Sequence, residues 1–188
     1  MSRDAGHFNL TARVLHWLMA VLILTMLFVG VTMVASLHWR PLLVDLHRPL
    51  GIAILLLALV RLINRLRHRP PPLPVDLPAW QAAAAHASHW VLYGLMLAMP
   101  LVGWAMLSAG GYPIQMWKGV LLPPILPHDV ALYAALRSAH SLLAYVLFAT
   151  VVMHLSAALF HLWVRRDGVF QAMAKGPGRT SPTDTDPR

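Results

Sequence analysis

The chain contains no cysteine and no glutamate, and it has few charged residues of any kind. Without cysteine it cannot form disulfides, thiolate metal sites, iron–sulfur clusters or covalently attached c-type haem. Without glutamate, it has little material for paired-carboxylate catalysis or carboxylate-rich metal cages. Charged residues make up 12% of the chain, about half of the roughly 25% of a soluble domain, so a water-facing surface could not be covered. An ordinary soluble enzyme and a disordered protein are therefore excluded.

The chain is instead rich in apolar side chains and in histidine. Hydrophobic residues account for 58% of the 188 residues, and the mean hydropathy is +0.61. At this length we expect one domain, and the apolar surplus indicates that its main partner is the lipid bilayer. The net charge of +8 does not indicate nucleic acid as a partner, because the basic residues flank apolar blocks and form no amphipathic patch. Eleven histidines are then the first indication of a functional site.

Charge-free stretches predict four membrane-spanning helices. Residues 14–39 and 138–164 form stretches of 26 and 27 residues without a charge, and each exceeds the roughly 20 residues that cross a bilayer. The longer stretch 77–117 is broken by prolines and holds one span. The second span is less apolar, and its end arginines are expected to snorkel to the interface. We therefore expect an all-α integral membrane four-helix bundle with spans at about 10–36, 45–65, 86–108 and 133–163.

Lysine and arginine are distributed unevenly between the two sides of these spans. The N-terminal segment, the connection after the second span and the C-terminal segment hold 11 of them, and the other two connections hold 4. The positive-inside rule then predicts that both termini are cytoplasmic. We expect a transmembrane domain over residues 1–175 and a disordered cytoplasmic tail over residues 176–188, which are polar and rich in proline and threonine.

Several histidines fall within the spans, where an ionisable residue is costly and indicates a functional site. In the predicted orientation His16 lies near the cytoplasmic face, whereas His47 and His140 lie near the outer face. His154 follows His140 by 14 residues, which is about 21 Å along a helix axis. At about 100° per residue this spacing leaves both side chains on one face of the helix. The fourth helix thus presents one histidine at each membrane face.

These positions form two candidate pairs, His47 with His140 at the outer level and His16 with His154 at the inner level. Neutral imidazoles are standard axial ligands of haem iron, and such a site needs no cysteine. Two pairs stacked across the bilayer are what two bis-histidine b-type haems require. In the alternative interpretation each histidine only hydrogen-bonds a neighbouring helix. The matched depths and the same-face spacing favour the haem interpretation.

Arginines stand close to three of these histidines. Arg13 and Arg137 each lie about one turn from a proposed ligand, toward the membrane face, and Arg48 adjoins His47. Because a haem propionate is an anion that arginine binds well, we expect these arginines to bind propionates. Small residues that could form the haem wall, or pack helices together, are Gly30, Gly51, Gly94, Gly103 and Ala144.

The third span carries His86 and His89 near its cytoplasmic end. His89 has two interpretations: it lines a quinone or proton site, with His86 one turn earlier, or it competes with His16 as the partner of His154. The other histidines lie at or beyond span ends, and most are predicted to be interfacial or solvated: His7, His38, His68, His128 and His161.

Four segments carry a family resemblance: RVLHWLMAVLILTM, LHRPLGIAILLLALVRLINRL, HASHWVLYGLMLAMPLVGWAML and LRSAHSLLAYVLFATVVMHLSAALFHLWVRRDGVFQAM. Together they resemble the bacterial cytochrome b561 family over about residues 8–174. The resemblance implies a four-helix, multi-pass protein of the bacterial inner (plasma) membrane with two b haems. The family's third-helix histidine pair falls on His86 and His89. Its haem-ligand pattern falls on four histidines of this chain: His16, His47, His140 and His154.

The same resemblance implies electron transfer to or from quinone, and at least one member is described as a superoxide:quinone oxidoreductase. We therefore expect a di-haem cytochrome of a respiratory electron transport chain that carries electrons between an outer-face donor and ubiquinone or menaquinone. If superoxide is the donor, Arg48, Lys118 and Arg137 would attract the anion. The resemblance leaves open whether the chain is a quinone-linked oxidoreductase or an electron carrier, and whether it forms a homodimer. It assigns no catalytic residue.

Two other functions remain as alternatives. The fold also resembles the cytochrome b subunits of hydrogenases and formate dehydrogenases, so the chain could be a haem-bearing membrane anchor for a partner dehydrogenase subunit. The other alternative is a His-lined metal-ion transporter. A transporter would show no haem absorption, whereas the anchor would purify with stoichiometric partner subunits.

Overall fold

Four long helices form most of the structure. A computed structural model describes residues 6–68, 70–117 and 119–175. In chain order it contains α1 Leu10–Ala35, α2 Arg40–Arg67, α3 Ala79–Ala109, β1 Ile114–Trp117, β2 Val120–Leu122, α4 Val130–Phe160 and α5 Val169–Ala174. Each of the four long helices is long and apolar enough to cross a membrane. The predicted all-α membrane four-helix bundle is therefore confirmed. The predicted tail, residues 176–188, lies outside the described residues.

The ends of the long helices are set by local sequence. The Asn9 side chain accepts the hydrogen bond of a first-turn amide of α1 at 2.7 Å, and Asp129 does the same for α4 at 2.9 Å. Such side chains replace the partners that the first amides of a helix lack. Pro41 stands in the first turn of α2, and Pro78 directly precedes α3. Proline suits these positions because its missing N–H would be unpaired there anyway.

The helices extend further than the predicted spans. Helix α2 begins at Arg40 and α3 begins at Ala79, five and seven residues before the spans predicted from hydropathy. Hydropathy locates only the apolar part of a helix, whereas backbone hydrogen bonds continue into the interface. Pro49 and Pro100 lie inside α2 and α3 without ending them. Neighbouring helices often support such prolines in membrane proteins.

The chain folds up and down, so that the bundle has two distinct ends. The starts of α1 and α3 and the ends of α2 and α4 lie together, and we call this the termini end. There the Phe8 amide donates to the Ala172 carbonyl at 3.2 Å, which joins the N-terminal segment to α5. The opposite end carries the β1–β2 hairpin, and we call it the hairpin end. The strands are antiparallel, and β1 packs on α2 and α3.

Packing of the helices is uneven. Helix α1 packs closely along α2, α2 along α3, and α3 along α4. Within the described residues, α4 has no comparable packing with α1 or α2. The two histidine-bearing levels described below lie across this gap. A helix that stands apart from two neighbours leaves room between them for a flat group.

A small core joins the first three helices, and the outer surface is apolar. Met19 of α1, Ile54 and Ala58 of α2 and Tyr93 of α3 are at most 6% exposed and pack together. Large apolar side chains elsewhere are exposed, such as Phe28 at 74%. An apolar surface of this extent is stable only in contact with lipid. The bilayer, not a large buried core, therefore solvates most apolar residues of this chain.

We predict that Ala58→Leu destabilises the bundle by about 1–3 kcal/mol, because Ala58 is fully buried and extra methylenes overpack a filled core. Thermal unfolding of the purified protein in detergent would measure this loss. Leu59→Phe is the matched control, since Leu59 is 42% exposed on the lipid side and should leave the midpoint unchanged. Equal midpoints for wild type and Ala58→Leu would contradict the described packing.

Candidate functional site

At the hairpin end, one histidine of α2 faces one histidine of α4. The ring centroids of His47 and His140 are 6.2 Å apart. Both Nδ1 atoms are buried without a hydrogen bond of ordinary geometry. A cavity beside them is lined from all four helices and includes Gly51 and Pro100. Buried polar atoms are almost always satisfied in native proteins, so two orphaned imidazole nitrogens at one cavity indicate a binding site.

One of the small residues on α3 is in close contact with this pair. A Cβ placed on Gly103 would lie 3.3 Å from Cε1 and 3.6 Å from Nδ1 of His140. A side chain at this position would therefore push the imidazole. Gly51 is looser, with its nearest neighbour Met26 at 3.7 Å, and a Cβ on Gly30 or Gly94 would have no neighbour within 4 Å. Of these four glycines, Gly103 is the one whose size sets the position of a histidine.

At the termini end, three histidines from three helices meet. The ring centroid of His154 on α4 lies 6.3 Å from that of His16 on α1 and 5.6 Å from that of His89 on α3. The structure thus brings His154 to both partners that the sequence left open. The 14-residue spacing on α4 places His140 and His154 at different levels along the same gap.

Arg61 completes the termini-end group, and sequence analysis missed this role. Its Nη2 lies 2.9 Å from Nδ1 of His16, and its Nε donates to the Tyr93 hydroxyl at 3.1 Å. Arg65, one turn later on α2, lies over the rings of Trp90 and Tyr93. The expectation that the end arginines snorkel outward is therefore wrong for Arg61. In the sequence, Arg61 lies at the same predicted depth as His16, and this shared depth could have indicated that Arg61 points inward.

The three arginines predicted to bind propionates differ in their surroundings. Among the described residues, Nε of Arg13 and Nε of Arg48 are both buried without a hydrogen-bond partner. Arg13 also donates to the Ala174 carbonyl at 3.2 Å, and Arg48 lies 3.9 Å from the Asp45 carboxylate. Arg137 is exposed and reaches only the Tyr133 hydroxyl, at 3.4 Å. Two of the three arginines thus retain an unused donor inside the protein.

His86 does not join the histidine group. It is exposed, and its Nδ1 lies 2.7 Å from the Ala82 carbonyl one turn earlier. His89, three residues later, points into the bundle instead. The two histidines lie about 60° apart around α3, but His89 reaches His154 whereas His86 turns back to its own helix, so they do not form one cluster.

His161 belongs to the five histidines of which most were predicted to be interfacial or solvated, and the structure encloses most of its side chain. Its side chain is 16% exposed, and its Nδ1 lies 2.7 Å from the Asp167 carboxylate. Arg165 binds the same carboxylate at 3.1 Å and reaches Asp76, in the proline-rich connection, at 2.8 Å. The left-handed backbone at Gly168, with φ of 83°, turns the chain after Asp167 into α5. Hydropathy could not predict these contacts because they depend on that turn.

A separate cavity of about 540 Å³ lies beneath the hairpin, beside the end of α3. Its lining is mainly apolar and includes Tyr112, Ile114 and Pro123, and no titratable histidine or acid lines it. Ser108 on its wall is already satisfied, since it donates to Trp104 and accepts from the Ile125 amide. This cavity carries no recognisable redox chemistry.

Known proteins match the chain over nearly its whole length. Probable superoxide oxidase CybB of Yersinia pestis is 30% identical over 162 residues, which cover 85% of this chain and 90% of that protein. Cytochrome b561 homolog 1 of Escherichia coli K12 is 30% identical over 179 residues, which cover 89% and 97%. Homolog 2 of the same organism is 28% identical over 170 residues, which cover 88% and 90%. The family model described as Prokaryotic cytochrome b561 matches residues 7–176. This chain therefore belongs to the prokaryotic cytochrome b561 family and is a membrane cytochrome of b type.

Proposed function

We propose that the chain holds two b haems, one at each histidine level, and carries electrons across the membrane between a donor at the hairpin end and quinone. The observation that carries the proposal is the repeated spacing of the histidines. His47 and His140 are 6.2 Å apart, and His16 and His154 are 6.3 Å apart. Imidazole nitrogen binds a first-row metal at about 2 Å, so two imidazoles on opposite sides of one metal have ring centroids about 6 Å apart.

At the hairpin end, no hydrogen bond among the described residues holds either histidine in the wrong tautomer for haem. Coordination through Nε2 requires the proton on Nδ1, which then needs an acceptor or water. Nδ1 of His47 and Nδ1 of His140 are both free for that proton. Gly103 leaves the ring of His140 in place, and the buried Arg48 Nε is available to a propionate.

At the termini end the fit requires one change. Arginine only donates hydrogen bonds, so its 2.9 Å contact makes Nδ1 of His16 an acceptor and leaves the proton on Nε2. Ligation through Nε2 needs the other tautomer, and Arg61 must then release Nδ1. Arg13, with its buried and unused Nε, is the propionate partner we assign at this end.

Haem supplies one-electron chemistry when bound, and the protein supplies placement and electrostatics. The two histidine levels on α4 are about 21 Å apart along the helix axis. An electron would therefore cross the bilayer in two stages, from a donor level to an acceptor level. If both histidines of a pair held the iron, direct binding of oxygen at iron would not be expected. We place the termini end in the cytoplasm, because lysine and arginine concentrate on that side.

The donor at the hairpin end is proposed to be superoxide. One relative is named a probable superoxide oxidase. Arg48 and the exposed Arg137 add positive charge at this end, where they would attract an anion. Lys118, proposed for the same role, lies outside the described residues. For quinone and proton exchange at the termini end, His89 is the candidate that points inward, and the exposed His86 is the candidate nearer solvent.

A reduced-minus-oxidised spectrum with a pyridine haemochrome assay tests the proposal, and we expect two b haems per chain. His140→Ala and His154→Ala should each remove one haem, and the two variants should lose different spectral components, because the two residues belong to separate pairs.

Further measurements separate the alternative functions. Superoxide-driven reduction of a soluble quinone by the isolated chain would support its function as a quinone-linked oxidoreductase. Stoichiometric partner subunits would instead indicate a dehydrogenase anchor. Absence of a Soret band would exclude both haem-based functions and favour the metal-ion transporter.

The termini-end partner of His154 can be identified separately. We predict that His16→Ala removes the same spectral component as His154→Ala, and that His89→Ala retains it with a shifted potential. The reason is that the ring centroids of His16 and His154 are 6.3 Å apart, close to the 6.2 Å of the hairpin-end pair, whereas that of His89 is 5.6 Å from His154. His86→Ala, on the exposed face, is the control. Retention of both components by His16→Ala would assign the ligand to His89.

We predict that Gly103→Ala lowers haem occupancy at the hairpin end at least several-fold. The added Cβ would lie 3.3 Å from the His140 ring, and a ligand held by iron cannot rotate away. Gly94→Ala on the same helix is the matched control, since its Cβ meets nothing within 4 Å. Haem content per chain measures the effect. Full occupancy in Gly103→Ala would argue against a tight ligand position at His140.

A further inference from the structure

The two histidine levels differ in the charge that surrounds them. Arg61 lies at the termini-end level, half-buried, with its guanidinium against His16 and Tyr93. Within the described residues it makes no ion pair with a carboxylate. At the hairpin-end level Arg48 has a carboxylate near it, that of Asp45 at 3.9 Å. The termini-end level therefore has a cation next to its histidines that no acid compensates.

Tyr93 keeps this cation in place when the ligand changes tautomer. If His16 binds iron through Nε2, its Nδ1 carries a proton and Arg61 loses that contact. The hydrogen bond from Arg61 Nε to the Tyr93 hydroxyl, at 3.1 Å, does not involve the histidine. Tyr93 is 6% exposed and belongs to the core. The hydrogen bond to Tyr93 therefore keeps the Arg61 guanidinium next to the termini-end histidines when haem binds.

We propose that Arg61 raises the reduction potential of the termini-end haem and so draws electrons from the hairpin end. This inference rests on the two-haem function proposed above. The step is a transfer of one electron, in which the hairpin-end centre is oxidised and the termini-end centre is reduced. Reduction adds one negative charge next to a fixed cation, and in a medium of low dielectric that attraction is strong. Haem propionates add similar negative charge at both levels, so they do not cancel the difference.

Redox titration of the full-length holoprotein, with the two components resolved by spectrum, tests this. Arg61→Gln removes the charge and leaves a polar side chain that can still donate a hydrogen bond. At a fixed ambient potential we expect the reduced-to-oxidised ratio of the termini-end haem to fall about tenfold, which is 59 mV for one electron. The hairpin-end component should not move. Arg61→Lys keeps the charge and should restore most of the wild-type ratio.

Two further variants separate charge from position. Arg65→Gln removes a cation that touches Tyr93 and Trp90 but no histidine, so it should shift the ratio less than Arg61→Gln. Tyr93→Phe releases the guanidinium without changing charge and should lower the ratio in the same direction. If Arg61→Gln loses the termini-end haem, the reduced-to-oxidised ratio of that haem in Tyr93→Phe tests the proposal instead.

Several outcomes would overturn the inference. The first is an unchanged reduced-to-oxidised ratio of the termini-end haem in Arg61→Gln. If Arg61→Gln loses that haem, an unchanged ratio in Tyr93→Phe has the same meaning. Another is an equal shift of the ratio in Arg61→Gln and Arg61→Lys. The last would mean that Arg61 acts through position alone. A wild-type chain without haem would instead overturn the proposed function, so the two failures are distinguishable.

Discussion

The cost of placing an imidazole inside a lipid bilayer is the constraint on which this structure depends. Hydrocarbon offers no water to satisfy the two ring nitrogens, so each histidine must find a partner within the protein. Helix α4 carries His140 and His154 on one face, 14 residues apart. Both must therefore face other helices at two separate levels. The helices that supply these partners are α1, α2 and α3.

This constraint explains why α4 stands apart from α1 and α2. Direct helix contact would close the space between the paired imidazoles, which the proposed function fills with haem. The small buried core joins α1, α2 and α3 instead, and lipid solvates the remaining apolar surface. Gly103 shows how closely the bundle packs on the α3 side of His140, where a Cβ would lie 3.3 Å from the imidazole ring.

The two levels are not equivalent, and the difference is electrostatic. The hairpin-end pair has unused nitrogens and a cation with a carboxylate nearby. The termini-end group adds a third histidine, a buried tyrosine and an arginine without an acid. Beyond it, Asp76 and Asp167 are both held by Arg165, which ties the proline-rich connection to the end of α4. Within the described residues, neither of these carboxylates pairs with Arg61.

Hydropathy and the positions of charged residues were enough to predict the four-helix membrane fold, because both are read along the chain and need no tertiary contact. The sequence also indicated which histidines share a level, since depth follows from position in a span. Only the packed structure shows that His89 and Arg61 join His16 and His154, that His86 does not, and that the half-buried His161 contacts Asp167. Those contacts depend on helix rotation and on the turn after α4. Rotation is set by side-chain packing between helices, which nearly uniform apolar sequences such as α1 do not encode in their pattern.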